Sequence, residues 1–199
     1  MSKREKLLEV RRQLQIKLKA EDYIQRTLQA SLEVLNYFKK QEMAYFLPSY
    51  LFIPEAYTSY VQARLSQTPF TDLQANSFNI NPPDLEAIVK SVLDHFPSKN
   101  NFHYVPDLMK YAAYRSGNQD AMLRDGLEQA IQALALPNQA VYVYWMQYGL
   151  LLQVELEIVQ AHDQEDLFNT WNGDVLIFST AADWLISFNM EDIWYGGRL

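Results

Sequence analysis

The sequence predicts an α+β protein in one domain, 1–199: about five to six helices over 1–136, then an antiparallel sheet of three to five strands over 137–199. Three observations carry this. Apolar residues recur at three- and four-residue spacing through the first two-thirds, the mark of one buried helix face. After Pro137 the chain turns β-branched and aromatic. The composition, 49% hydrophobic and 14% aromatic, supplies one core without a staple; a chain of this size buries roughly 70% of its unfolded surface.

Leu7, Val10 and Leu14 mark the first helix face, and Ile24, Leu28, Leu32 and Leu35 resume it after a break at Lys17–Asp22. The expected arrangement is a charged, solvated face over an apolar stripe that packs, the alternative being an arm for dimerisation or partner binding. Pro48 closes the region, and Pro54 opens a helix through Ser66. Residues 67–82 mix Pro, Asn, Ser and Thr and read as a loop. Pro82-Pro83 starts the next helix, with Asp84 and Glu86 at its positive N-terminal end. Leu85, Ile88, Val89, Val92, Leu93 and Phe96 form its apolar face, and Pro97 ends it. Two more helices are expected at 105–115 and 118–135.

The run AVYVYWMQYG reads as a strand, and Leu152, Val154, Leu156 and Ile158 alternate with polar residues at period two. Leu150–Gln160 could nonetheless serve a helix in part. Asp174–Ser179 and Trp184–Asn189 make a hairpin around Thr-Ala-Ala-Asp, and Ile193–Tyr195 adds an edge strand.

Charge is uneven. Residues 1–42 hold ten Lys/Arg and six Asp/Glu, or +4, and the remainder seven against eighteen, or −11. From Ala140 onward Arg198 stands alone against nine acids. Such a surface repels phosphate backbones, so no nucleic-acid partner is expected. The N-terminus has no apolar leader and nothing approaches ~18 consecutive apolar residues, so a cytoplasmic protein without a membrane partner is expected. With no cysteine there is no disulfide framework, thiolate metal site or thiol nucleophile.

Catalytic signatures are missing too. The chain contains no GxSxG, Walker loop or GxGxxG, and its histidines, His95, His103 and His162, are scattered. The dense group His162-Asp163-Gln164-Glu165-Asp166 lacks EF-hand spacing. No catalytic residue, cofactor site or metal site is assigned.

All four tryptophans, Trp145, Trp171, Trp184 and Trp194, fall in the last sixty residues beside the acids. Trp145 and Trp184 sit inside strand patterns and read as core. Trp171 and Trp194 lie at strand ends, where an aromatic ringed by charge suits a protein interface. The expected partner-binding set is therefore Trp171, Asp183, Glu191, Asp192, Trp194, Tyr195, Glu155 and Glu157.

The stretches YVYWMQYGLLLQVELEIV and NGDVLIFSTAADWLISFNMEDIWYGG resemble, in style, small acidic bacterial immunity proteins that neutralise polymorphic or contact-dependent toxins. The resemblance covers roughly a quarter of the chain. It implies a non-catalytic inhibitor with one cognate protein toxin, often a basic nuclease, held on an acidic surface. The alternative from the residues is another interaction or adaptor module that binds through its N-terminal helices. Oligomeric state stays open.

Overall fold

The computed structural model describes residues 2–40, 48–67, 79–107, 112–115, 123–161, 168 and 173–199. It is an α+β fold built on one eight-stranded sheet, in the order β2-β1-β5-β4-β6-β7-β8-β3. The strands are β1 (Ser49–Leu51), β2 (Asn79–Ile80), β3 (Ala112–Arg115), β4 (Ala140–Trp145), β5 (Leu150–Glu155), β6 (Val175–Ser179), β7 (Trp184–Phe188) and β8 (Trp194–Arg198). Every pair is antiparallel except β1–β2, so the sheet is mixed.

The helices are α1 (Lys3–Tyr23), α2 (Gln29–Lys40), α3 (Thr58–Gln67), α4 (Pro83–His95), α5 (Leu123–Ala133) and α6 (Leu156–Ala161). A capping box opens α1: Glu5 N donates to Ser2 Oγ at 3.2 Å and Ser2 N to Glu5 Oε2 at 2.6 Å. The break expected at Lys17–Asp22 is absent, since α1 is continuous there; a π turn just beyond it, Ile24–Leu28, carries α1 into α2. The α4 helix starts on Pro83 with Asp84 and Glu86 in its first turn, as the sequence predicts.

Helices cover both sheet faces. One core gathers Val34, Leu35 and Phe38 of α2, Val61 of α3 and Leu127, Ala130 and Ile131 of α5 against Val141, Val143, Ile177, Ile186 and Phe188. The other places Val89 and Val92 of α4, with Phe96 just beyond it, on Tyr142, Leu151, Leu176, Phe178 and Leu185. All five residues of β6 and of β7 are buried. A strand covered on both sides needs no polar alternation, which explains why these two read as continuous apolar runs.

Three expectations need correction. The sheet exceeds three to five strands, and three strands lie before residue 130, so 1–136 is not purely helical. These early strands have only three, two and four residues, too few to display a period. Ala112–Arg115, expected inside a helix, pairs with β8 instead, through Ala113↔Gly197 and Tyr114↔Gly196. Cross-strand pairing there outweighs local helix preference.

Second, β8 is not an edge, because β3 closes it off on the side away from β7. Third, the alternation over Leu152–Ile158 is strand only as far as Glu155. Leu156 and Val159 are buried at helical spacing in α6, and Glu157 N donates to Asn138 Oδ1 at 3.0 Å as that helix begins. Among the described residues, no helix is long and apolar enough to cross a membrane.

Candidate protein-binding surfaces

The register of β7 decides where the expected site residues lie. Asp183 precedes Trp184 and Asn189 follows Phe188, so the two hairpin turns sit at opposite ends of the strand, about 20 Å apart at ~3.3 Å per residue. Glu155 belongs to Asp183's end, because Ala140 pairs with Glu155 and Val141 with Ser179. Glu157 follows at the start of α6. Glu191 and Asp192 occupy the other end. The eight residues expected to share one patch do not.

Trp194 and Tyr195 are not surface anchors either. They are 2% and 5% exposed. The Trp194 ring packs on Phe188 at 4.8 Å and Phe168 at 5.6 Å. Its burial follows from β8 being an inner strand, with α5 lying over it. Trp171, Asp163, Glu165 and Asp166 lie outside the described residues.

Both turns are held by local hydrogen bonds. Ser179 Oγ hydrogen-bonds the Asp183 carboxylate, and Asp183 N donates to Ser179 Oγ at 3.2 Å. In the β7–β8 turn, Asn189 Oδ1 accepts from Glu191 N at 3.0 Å and Ile193 N at 3.2 Å. Asp192 holds φ 58°, a left-handed value that Asp tolerates better than most residues. The carboxylates of Glu191 and Asp192 are left facing solvent.

At that same end stands an aromatic that sequence reasoning missed. The Asp174 carboxylate ties two segments together, accepting from Tyr104 N at 2.6 Å and Met190 N at 3.1 Å. It thereby draws the 98–105 loop beside the β7–β8 turn. His103 Nε2 reaches to 4.0 Å from Glu191 Oε1. Phe102, one residue before His103, is 88% exposed, and Met190 is also exposed. The result is an end bearing Phe102, Met190, Glu191 and Asp192. No period or motif marks Phe102 in SKNNFHY; only the Asp174 bridge reveals where it goes.

The second surface is α1. Residues 2–15 are all exposed, and Leu7, Leu8, Val10, Leu14 and Leu18 are each more than half exposed. This corrects the expectation that the Leu7–Val10–Leu14 stripe packs. The body-facing side of α1 carries Ile16, Ala20 and Tyr23 instead: Ala20 is fully buried and the other two partly so. At the base of α1 a groove of about 400 Å³ is lined by Leu18, Lys19, Asp22, Tyr23, Arg26, Thr27 and Tyr57.

Tyr23 anchors that base. Its ring lies 5.6 Å from Tyr57, and its hydroxyl donates to Phe52 O at 3.4 Å. Burial first, and then the nearby Tyr144, push its pKa from the usual 10.0 up to about 12. Burial raises Tyr104 as well. A phenol that keeps its proton more tightly when folded stabilises the fold fully below pH 10, and that contribution is lost as pH rises toward 12. Absorbance at 295 nm should therefore show Tyr23 ionising after the exposed tyrosines. Tyr23→Phe should make the melting temperature fall less steeply over this window; an unchanged slope would show the Tyr23 hydroxyl to be solvated.

Among the described residues no three His, Asp or Glu side chains gather as a metal site. No protein-family model matches the chain, and neither a curated protein nor a solved structure does.

Proposed function

We propose that this protein is a non-catalytic, immunity-type inhibitor that binds a cognate basic protein toxin at the end of its sheet carrying Phe102, Met190, Glu191 and Asp192. The observation that carries the reading is the Asp174 bridge, which sets an exposed aromatic beside two solvent-facing carboxylates. An aromatic able to fill a partner's pocket supplies binding energy, while surrounding acids speed encounter with a basic surface and reject acidic ones. The toxin assignment itself rests on the resemblance of the C-terminal stretches. No cofactor or nucleic acid enters the proposal, and the site of action is cytoplasmic.

The test pairs the protein with the product of the adjacent gene, which this reading requires to be toxic. Co-expression should relieve toxicity. Phe102→Ala should weaken binding by about 2 kcal/mol, roughly thirtyfold, with unchanged melting because the ring is exposed. Glu191→Lys with Asp192→Lys should slow association most at low salt. Full protection and unchanged association rates in both variants would remove this surface from consideration. The adaptor reading, with binding through the N-terminal helices, would then lead, supported by the exposed stripe of α1.

A further inference from the structure

We propose that α1 is a self-association arm through which two copies of this chain pair antiparallel, independently of what the acidic end binds. Leu7, Val10, Leu14 and Leu18 are separated by three, four and four residues. At 3.6 residues per turn they fall within an arc of about 80°. Ile16, Ala20 and Tyr23 lie on the opposite side, toward the body, so the stripe faces away from the fold, with its Leu18 end bordering the groove beside Tyr57.

The stripe is within one residue of its own reverse. Turned end for end, Leu7 meets the second copy's Leu18, and Val10 meets its Leu14. The charges obey the same symmetry. Lys3 and Glu21 continue the line of the stripe beyond its two ends, and Arg4 and Asp22 share one flank of it. A two-fold axis across antiparallel helices brings like flank to like flank. Lys3 then faces the second copy's Glu21, and Arg4 its Asp22, giving four opposite-charge pairs per dimer.

Parallel pairing brings equal heights together, which sets Lys3 beside the second copy's Lys3 and Glu21 beside its Glu21. Like charges therefore disfavour it. Glu21 and Asp22 already pair within the helix, Lys17–Glu21 at 3.9 Å and Arg26–Asp22 at 3.0 Å. These pairs are more than half exposed and such pairs contribute at most about 1 kcal/mol, so the acids remain available across the interface. Two like-charge approaches persist: Lys6 to the second copy's Lys17, which the neighbouring Glu21 offsets, and Arg11 to its Arg11 across the two-fold axis.

Lys and Arg outnumber acids seven to two over residues 3–19. A basic helix of this kind could instead lie on an anionic membrane, but the end-to-end complementarity favours a second copy. Four apolar side chains per helix make an interface smaller than the ~1,200 Å² of stable complexes. The dimer should therefore be reversible, with a Kd in the micromolar range, about 10–100 µM.

Sedimentation of the full chain across a concentration series from about 1 to 500 µM should show a monomer–dimer equilibrium. Leu14→Glu should raise its Kd at least about tenfold with circular dichroism and melting unchanged. Lys3→Glu with Arg4→Glu, and separately Glu21→Lys with Asp22→Lys, should each weaken self-association. An equimolar mixture of those two variants should restore it, since both ends of the mixed pair regain opposite charges. A monomer at every concentration, or a dimer indifferent to Leu14→Glu, would overturn the proposal. So would a mixture no tighter than either variant, since charges at the helix ends would then not hold the two copies together. A monomer that binds phosphatidylserine vesicles but not phosphatidylcholine ones would assign the stripe to a membrane instead. Loss of toxin binding by Phe102→Ala would leave this result untouched, which separates the two surfaces.

Discussion

Trp194→Ala should destabilise the protein by about 3–5 kcal/mol, the range for removing a large buried aromatic. The indole is 2% exposed and sits at the centre of an aromatic group: Phe188 at 4.8 Å, Phe168 at 5.6 Å, and Trp145 stacked on Phe168 at 6.5 Å. Little around it can collapse to fill the space, because Phe188 and Trp145 are held in strands and α5 closes the side above. Against a total stability of roughly 5–15 kcal/mol, such a loss is a large fraction. Urea unfolding of the variant beside Phe102→Ala makes the comparison direct. The exposed ring should cost under about 0.5 kcal/mol and the buried one several times more. Equal midpoints for Trp194→Ala and the parent would mean that the indole leaves its pocket, and the surface-anchor reading of EDIWYGG would return.

That reading failed for a physical reason. Periodicity reveals which side of an element is apolar, but whether a strand is an edge depends on what pairs with it. β8 has a partner, β3, whose four residues carry no alternating signal. The same limit applies to β1 and β2, set in place by tertiary pairing. Asn81 completes that corner through its side chain, with Oδ1 accepting from Ile53 N at 2.8 Å and Nδ2 donating to Ile53 O at 2.9 Å. By contrast α4, with its proline start, acidic first turn and apolar face, was legible at once. So was the change of period near Pro137, because β4, β6 and β7 are rich in β-branched and aromatic residues. The acidity of the C-terminal stretch was legible as composition. Its division between two ends of β7 was not, since that requires the strand register. Phe102 and the exposed stripe of α1 show the complementary gap: an apolar residue reads as core until the fold shows that nothing covers it.

Gly126→Ala should also destabilise, by about 2 kcal/mol net, although alanine in a helix ordinarily gains up to ~1 kcal/mol over glycine. Gly126 lies in α5 directly over the Trp194 ring. A Cβ added there would come within 2.1 Å of Trp194 Cδ1, 2.7 Å of Nε1 and 2.8 Å of Cγ. These atoms belong to a rigid ring backed by Phe188 and Phe168, not to the free end of a flexible chain, so α5 itself must lift. The helix cannot lift freely, because its C-terminal end is tied to β8 through Arg198 Nη1, which donates to Leu134 O at 3.2 Å. Overpacking of this kind costs typically ~1–3 kcal/mol, occasionally more, and outweighs the gain in helix propensity. The sign can be isolated in a double-mutant cycle with Trp194→Phe, whose smaller ring leaves room for the methyl. In that background Gly126→Ala should cost at least about 1 kcal/mol less than in the parent. A glycine replacement that is neutral or stabilising in both backgrounds would show that the indole and α5 are not in contact, and the packing that buries Trp194 would have to be redrawn.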